Sequence, residues 1–129
     1  GFALDGLSFA TEHPIVPDWV RSLYRSSRLL PLTLLAVLGM APVIEEVVFR
    51  GFFLEGVRHS KIGDVGTVVL ASLIWASIHL QYEWFHIGQV FILGLVLGAA
   101  RVRTRSLIPP ILMHALFSGV ATIEAALAP

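Results

Sequence analysis

Residues 29–57 read LLPLTLLAVLGMAPVIEEVVFRGFFLEGV, and this stretch decides the fold. Residues 29–44 carry no charge, and the doublet Glu45-Glu46 then interrupts an otherwise apolar run. An ionised side chain on an apolar helix is energetically costly, so acidic residues in such a place usually serve a function. Arg50 follows Glu46 by one helical turn and can pair with it. Because Glu45 is rotated about 100° from Glu46, the pattern predicts a supporting role for Glu46 and Arg50 and leaves Glu45 free to react.

The rest of the chain continues this apolar character. Of the 129 residues, 56% are hydrophobic and 14% are charged, whereas soluble domains carry about 25% charged residues. Three more uncharged windows follow, at 65–82, 84–100 and 106–123. Each window approaches the roughly 20 residues that a helix needs to cross the hydrocarbon core, and none alternates as a strand does. We therefore predict an all-α fold, a polytopic transmembrane bundle of about four spans. The alternative is a soluble helix bundle, but little polar sequence remains to coat one.

The N-terminal part has a different composition. Pro17-Asp18-Trp19 is typical of a helix start, and Trp19 and Tyr24 share one side while arginines lie elsewhere. That pattern predicts a short interfacial helix after a loop at residues 1–16. The expected division is residues 1–28 for the loop and interfacial amphipathic helix, and residues 29–129 for the membrane core. Because the chain starts at Gly1 rather than Met, we expect a fragment of a larger bundle.

Charge and cysteine content exclude several partners and sites. Nine basic and nine acidic residues give zero formal net charge, so no basic surface indicates a nucleic-acid partner. The chain has no cysteine, which excludes disulfides and cysteine-ligated metals. Membrane lipids are the expected surroundings.

Two histidines interrupt other apolar windows. His79 lies near the end of the second window and His114 within the fourth, with Ser118 one turn later. A lone histidine in a bundle is usually packing, but two of them together with an unpaired glutamate favour a site. A carboxylate can take a proton from water while imidazoles and a hydroxyl orient it or stabilise an oxyanion. The candidate catalytic residues are therefore Glu45, His79, His114 and Ser118. The first three could instead hold zinc with one open position.

These residues fall into a series of motifs. The motifs are Glu45-Glu46-x-x-x-Arg50, Trp75-x-x-x-His79, Phe91-x-x-Gly94-x-x-x-Gly98 and His114-x-x-x-Ser118. Their order resembles the CAAX-protease and bacteriocin-processing family, which includes the type II prenyl-protein endopeptidases and the Abi proteins. The resemblance implies a helical intramembrane endopeptidase in which Glu45 activates water with help from His79. By the same resemblance, His114 and position 118 polarise the scissile carbonyl, and Glu46 and Arg50 support the site. Metal dependence stays open.

The resemblance also implies a substrate class and marks two departures. The substrate is a prenylated CAAX tail or a leader or bacteriocin-type peptide, and a bacterial cell membrane is the expected location. Position 75 is Trp where Phe is usual, and position 118 is Ser where Asn is usual. Losing a good oxyanion donor costs about 2.7–4 kcal/mol of barrier. The second departure leaves open a catalytically impaired immunity or scaffold protein. A proton transporter could use the same groups, although paired broken helices are not evident.

Overall fold

The computed structural model describes residues 16–127, and within this range the chain forms five helices joined by short connections and no strand. The helices are α1 (Asp18–Ser26), α2 (Leu30–Val57), α3 (Gly63–Ser77), α4 (Trp84–Thr104) and α5 (Ile108–Leu127). The predicted all-helical membrane bundle is confirmed. The loop predicted at residues 1–16 lies, apart from Val16, outside the described residues.

Three helices are long and apolar enough to cross a membrane, namely α2, α4 and α5. Helix α3 has 15 residues, a length of about 22 Å, which is shorter than the hydrocarbon core of about 30 Å. It ends earlier than the window at 65–82 predicts because His79 turns back on it. The Nδ1 atom of His79 lies 2.7 Å from the carbonyl oxygen of Trp75, which belongs to the last helical turn. A side chain that satisfies a terminal carbonyl in this way stabilises a helix end.

Helix α2 is irregular around the acidic doublet. It contains two wider π turns, Ala36–Met40 and Val47–Phe53, on either side of Glu45 and Glu46. Pro42 follows the first turn and is buried. Proline removes a backbone donor and crowds the preceding turn, so a wider turn accommodates it. Turns of the π type are frequent at functional sites, where they change the direction of side chains.

Helices α3 and α4 pack closely through two glycines, as their four-residue spacing predicts. Gly94 faces Ser72, and Gly98 faces Val68. A Cβ atom built on Gly94 would lie 2.9 Å from Ser72 Cβ and 3.2 Å from Ser72 Cα. Because one of these atoms is backbone, a side-chain rotation at Ser72 cannot relieve the contact. The contact fixes α4 against the helix that carries Trp75.

Gly94→Ala is therefore expected to destabilise the bundle by about 1–3 kcal/mol, the usual cost of overpacking. The matched control is Gly88→Ala on the same helix, where an added Cβ meets nothing within 4 Å. The control should be neutral or slightly stabilising, because alanine is the better helix former. The free energy of unfolding is measured for both variants in mixed detergent micelles. Equal stability of the two variants would contradict this packing.

Helix α1 forms at the predicted position and packs against α5. The hydroxyl groups of Tyr24 and Thr122 are 2.8 Å apart and share a hydrogen bond. Trp19 contacts the ring of Tyr82 with centroids 5.4 Å apart. The placement of α1 at the membrane surface and the domain boundary at residue 28 stay predictions.

Candidate active site

Trp75, near the C-terminus of α3, lies at the centre of the candidate site. Its side chain is 1% exposed. The indole Nε1–H donates a hydrogen bond to Glu45 Oε2 over 2.6 Å. The rings of His79 and His114 both meet the indole edge-on, each with its centroid 5.2 Å away. Trp75 thus brings together Glu45 from α2, His79 from the turn after α3, and His114 from α5.

Glu45 has a partner that the sequence analysis did not predict. The sequence predicts an unpaired carboxylate here, but the indole N–H holds one of its two oxygens. Phenylalanine, the usual residue of the motif at position 75, has no such donor. The other oxygen, Oε1, makes no hydrogen bond to any residue between 16 and 127. The carboxylate is therefore oriented at one oxygen and available as an acceptor at the other.

Glu46 and Arg50 form the buried ion pair that their spacing predicts. Both residues are 0% exposed, and Arg50 Nη1 donates to Glu46 Oε1 over 3.0 Å. The guanidinium also donates to the Gly94 carbonyl over 3.3 Å and lies over the indole of Trp75, with Cζ 4.4 Å from the ring centroid. Arg50 therefore ties α2 to both α3 and α4.

His114 bonds to Glu46, which the sequence analysis did not predict. Its Nδ1 lies 2.8 Å from Glu46 Oε1, the same oxygen that Arg50 contacts. An ionised carboxylate can only accept, so Nδ1 of His114 carries the hydrogen. By the same reasoning, Nδ1 of His79 donates to the Trp75 carbonyl. In both rings Nε2 is then an acceptor when the imidazole is neutral and a donor only in the imidazolium.

Ser118 lies one turn after His114 and is partly exposed. Its carbonyl accepts a hydrogen bond from Thr122 Oγ1 over 2.8 Å. Within the described part of the chain, the Ser118 hydroxyl makes no hydrogen bond, and so none joins it to the other candidate residues.

Tyr82 and His86 are near the site, and the sequence analysis gave neither a role. The Tyr82 ring stacks on the His79 ring with centroids 5.5 Å apart and planes 8° from parallel. His86 is 4% exposed and lies 6.2 Å from the Tyr82 ring. A cavity of about 80 Å³ beside them is lined by Val16, Pro17, Tyr82, His86, Gln89, Val90 and Phe117. The spacing His79-x-x-Tyr82 could have indicated Tyr82 from the sequence, because a tyrosine three residues after the histidine can share a turn with it.

Tyr82 titrates at higher pH than an ordinary tyrosine. Burial raises the pKa of its hydroxyl, and the charges of Glu45 and Tyr24 act in the same direction. Each effect disfavours the phenolate. The hydroxyl, which is protonated at neutral pH in any tyrosine, is thus moved further from ionisation.

The zinc set suggested by the sequence, Glu45, His79 and His114, does not fit a metal centre as arranged. No group of three or more His, Cys, Asp or Glu side chains within residues 16–127 is placed to hold a metal ion. We therefore derive no step through a metal.

Comparison with known proteins identifies the family of the chain. The family model described as type II CAAX prenyl endopeptidase Rce1-like matches residues 27–120. An uncharacterized 24.3 kDa protein of Escherichia coli is 33% identical over 85 residues, which is 64% of this chain and 39% of that protein. The chain thus spans well under half the length of this relative, and no solved structure matches significantly.

The family match extends over most of the chain, and its range, residues 27–120, covers the positions of all four motifs. The resemblance drawn from those motifs is thereby confirmed. The family match and the three long apolar helices together identify the chain as an integral membrane protein. The chain belongs to the family of type II CAAX prenyl endopeptidase Rce1-like proteins.

Proposed function

We propose that this protein is an intramembrane endopeptidase that hydrolyses a peptide bond near the membrane with water activated by Glu45. The observation that carries the proposal is the meeting of Glu45, His79 and His114 around Trp75, inside a bundle of apolar helices. General-base chemistry requires an acceptor whose position is fixed, and Trp75 fixes one oxygen of Glu45 while the other stays available.

Two side chains, Glu45 and His79, activate the water in this mechanism. Glu45 Oε1 takes a proton from water, and the resulting hydroxide oxygen adds to the scissile carbonyl carbon. His79 donates from Nδ1 to the Trp75 carbonyl, so its Nε2 accepts the second hydrogen of the same water. Glu45 then delivers its proton to the departing nitrogen as the C–N bond breaks. The carboxylate is regenerated, and no covalent enzyme intermediate is formed.

His114 has the complementary role of polarising the carbonyl. Its Nδ1–H is held by Glu46, so it donates to the substrate through Nε2 when the ring is an imidazolium. The Glu46 carboxylate holds the ring in position through that bond, as a buried acid does for a catalytic histidine. Arg50 holds Glu46 in place. Ser118, one turn from His114, is the weaker donor of the proposed site because its hydroxyl is shorter than the usual amide.

The substrate belongs to one of two peptide classes. A prenylated CAAX tail presents a lipid that partitions into the bilayer beside the cleaved bond, and a leader or bacteriocin-type peptide presents an apolar segment. Family membership supports the first class. The relative in Escherichia coli supports a bacterial cell membrane as the location and therefore favours a peptide of the second class.

Purified protein in proteoliposomes tests this function with one farnesylated CAAX peptide and one leader-type peptide. We expect the wild type to cleave one of them into two products whose summed mass exceeds the substrate by one water. The triple variant Glu45→Ala, His79→Ala, His114→Ala should insert equally well and produce neither product. Mass spectrometry of both peptides after overnight incubation provides the measurement.

Two outcomes would contradict the proposal. One is a wild type that leaves both peptides intact, and the other is a triple variant that cleaves as fast as the wild type. A catalytically impaired immunity or scaffold protein, the alternative that Ser118 suggests, predicts a different pattern. In that case host protection or complex formation survives the triple substitution.

A further inference from the structure

The proposed reaction lacks a strong second donor for the oxyanion. Position 118 carries serine, and its hydroxyl is not bonded to the other site residues within the described range. The Nδ1–H of His114 is committed to Glu46, so the ring donates to substrate only as an imidazolium. Oxyanion stabilisation is commonly the largest single contribution to acyl-transfer catalysis and usually employs two donors.

Tyr82 has the position and the chemistry to supply that donor. Its backbone N–H donates to the His79 carbonyl over 3.0 Å, and its ring is stacked almost parallel on the His79 ring. These two contacts fix the phenol beside the residue that is proposed to orient water. The Tyr82 ring also lines the small cavity to which Phe117, the neighbour of Ser118, contributes.

No residue between 16 and 127 binds the Tyr82 hydroxyl. Among the residues described, it makes no hydrogen bond, whereas the hydroxyl of Tyr24 is paired with Thr122 over 2.8 Å. A partly buried phenol held by its ring and left with a free O–H is suited to bind an oxygen that becomes negative during the reaction.

We propose that Tyr82 is a further catalytic residue, whose hydroxyl hydrogen-bonds the scissile carbonyl oxygen in the role that the resemblance implies for position 118. This inference rests on the proposed function. When the hydroxide oxygen adds to carbon, the carbonyl π electrons move to oxygen, and the Tyr82 O–H stabilises that charge without transferring its proton. When the intermediate collapses, the C=O bond re-forms and the C–N electrons leave with nitrogen, which takes the proton held by Glu45.

Tyr82→Phe tests this role because it removes one oxygen and keeps the ring stacked on His79. We expect kcat for the cleaved peptide to fall about 10²-fold, the usual effect of removing one oxyanion donor, while KM changes less than about twofold. A merely structural role would change KM or the thermal midpoint rather than kcat alone. The matched control, Tyr24→Phe, removes the same atom from the other tyrosine and should keep kcat within about twofold of wild type.

A second substitution, which adds an amide donor at position 118, tests whether the Tyr82→Phe defect is the loss of a hydrogen-bond donor. Ser118→Asn should raise kcat at least about tenfold in the Tyr82→Phe background, and less than about threefold in the wild type. The inference is wrong if Tyr82→Phe keeps wild-type kcat, or if Ser118→Asn leaves the Tyr82→Phe defect unchanged.

A binding measurement separates this inference from the proposed function. A peptide phosphonate carries a tetrahedral anionic oxygen that imitates the oxyanion, and the parent peptide amide does not. Tyr82→Phe should weaken binding of the phosphonate about 10²-fold and leave binding of the amide unchanged. Absence of cleavage by the wild type would overturn the proposed function, and equal phosphonate affinity of wild type and Tyr82→Phe would overturn this role of Tyr82.

Discussion

Glu45→Gln is expected to lower kcat for peptide cleavage by about 10²- to 10⁴-fold, the range that a positioned general base contributes. Glutamine matches glutamate in size, and its amide oxygen still accepts the hydrogen bond from the Trp75 indole that now spans 2.6 Å. It cannot take a proton from water at neutral pH. The variant therefore isolates proton abstraction from packing, and KM should change little.

The matched control for Glu45→Gln is Asp18→Asn. Asp18 is a carboxylate on α1 with 92% of its side chain exposed, and its neutralisation should leave kcat within about twofold of wild type. Initial rates in proteoliposomes at saturating peptide give the comparison. A Glu45→Gln protein that cleaves at the wild-type rate would mean that another group activates the water.

Arg50→Met is expected to destabilise the bundle by about 3–5 kcal/mol, because it leaves a buried charge without its partner. Glu46 is 0% exposed, and Arg50 lies 3.0 Å from its Oε1. The same substitution removes the hydrogen bond to the Gly94 carbonyl and the cation over the Trp75 ring. Methionine retains an apolar stem of similar length, so the loss is mainly electrostatic.

Arg103→Met on the exposed end of α4 is the matched control, and it should change stability by no more than about 0.5 kcal/mol. Adding Glu46→Gln to Arg50→Met should restore part of the lost stability. The uncompensated negative charge of Glu46 disappears, while the amide oxygen still accepts the hydrogen bond from His114. Detergent-mediated unfolding gives the free energy of unfolding of the two single variants and the double variant. Equal stability of Arg50→Met and Arg103→Met would contradict the buried pair.

The ion pair between Glu46 and Arg50 contributes more to the positions of the site residues than to the stability of the fold. Within residues 16–127, Glu46 Oε2 and Arg50 Nε are buried without a hydrogen-bond partner, so the pair is only partly satisfied. Pairs of this kind are often no more stabilising than apolar residues of similar volume. What Glu46 adds is the contact to His114 Nδ1, which sets the tautomer of that ring. Positioning of a functional side chain is a reason for such a costly group to be present.

The helices and the i,i+4 contacts could be predicted from the sequence. Uncharged windows indicate membrane helices because hydrocarbon selects for apolar length, which is a local property of the chain. Glu46 and Arg50 pair because one helical turn separates them, and the spacing of Gly94 and Gly98 anticipates the close approach of α3. Each of these predictions depends on a single helix or on one face of it.

The contacts between helices could not be predicted in the same way. The bond from Trp75 to Glu45 joins residues 30 positions apart, and the bond from His114 to Glu46 joins residues 68 positions apart. Both depend on how α2, α3 and α5 are rotated, and the π turns in α2 alter that rotation relative to a regular helix. The early end of α3 depends on a side-chain bond from His79. Spacing alone does not contain this information.

The indole ¹H–¹⁵N resonance of Trp75, recorded in lipid nanodiscs, tests most directly whether the three residues meet. Loss of one of the three indole signals in Trp75→Phe assigns the resonance, since the chain has three tryptophans. Glu45→Gln should shift it by weakening a charge-assisted hydrogen bond, and His79→Ala and His114→Ala should each shift it by removing a neighbouring ring current. Substitutions at all three sites are expected to move this one signal and to leave the signal of Trp84, which is 72% exposed, unchanged. A Trp75 signal that none of the three moves would contradict the convergence on which the proposed protease site depends.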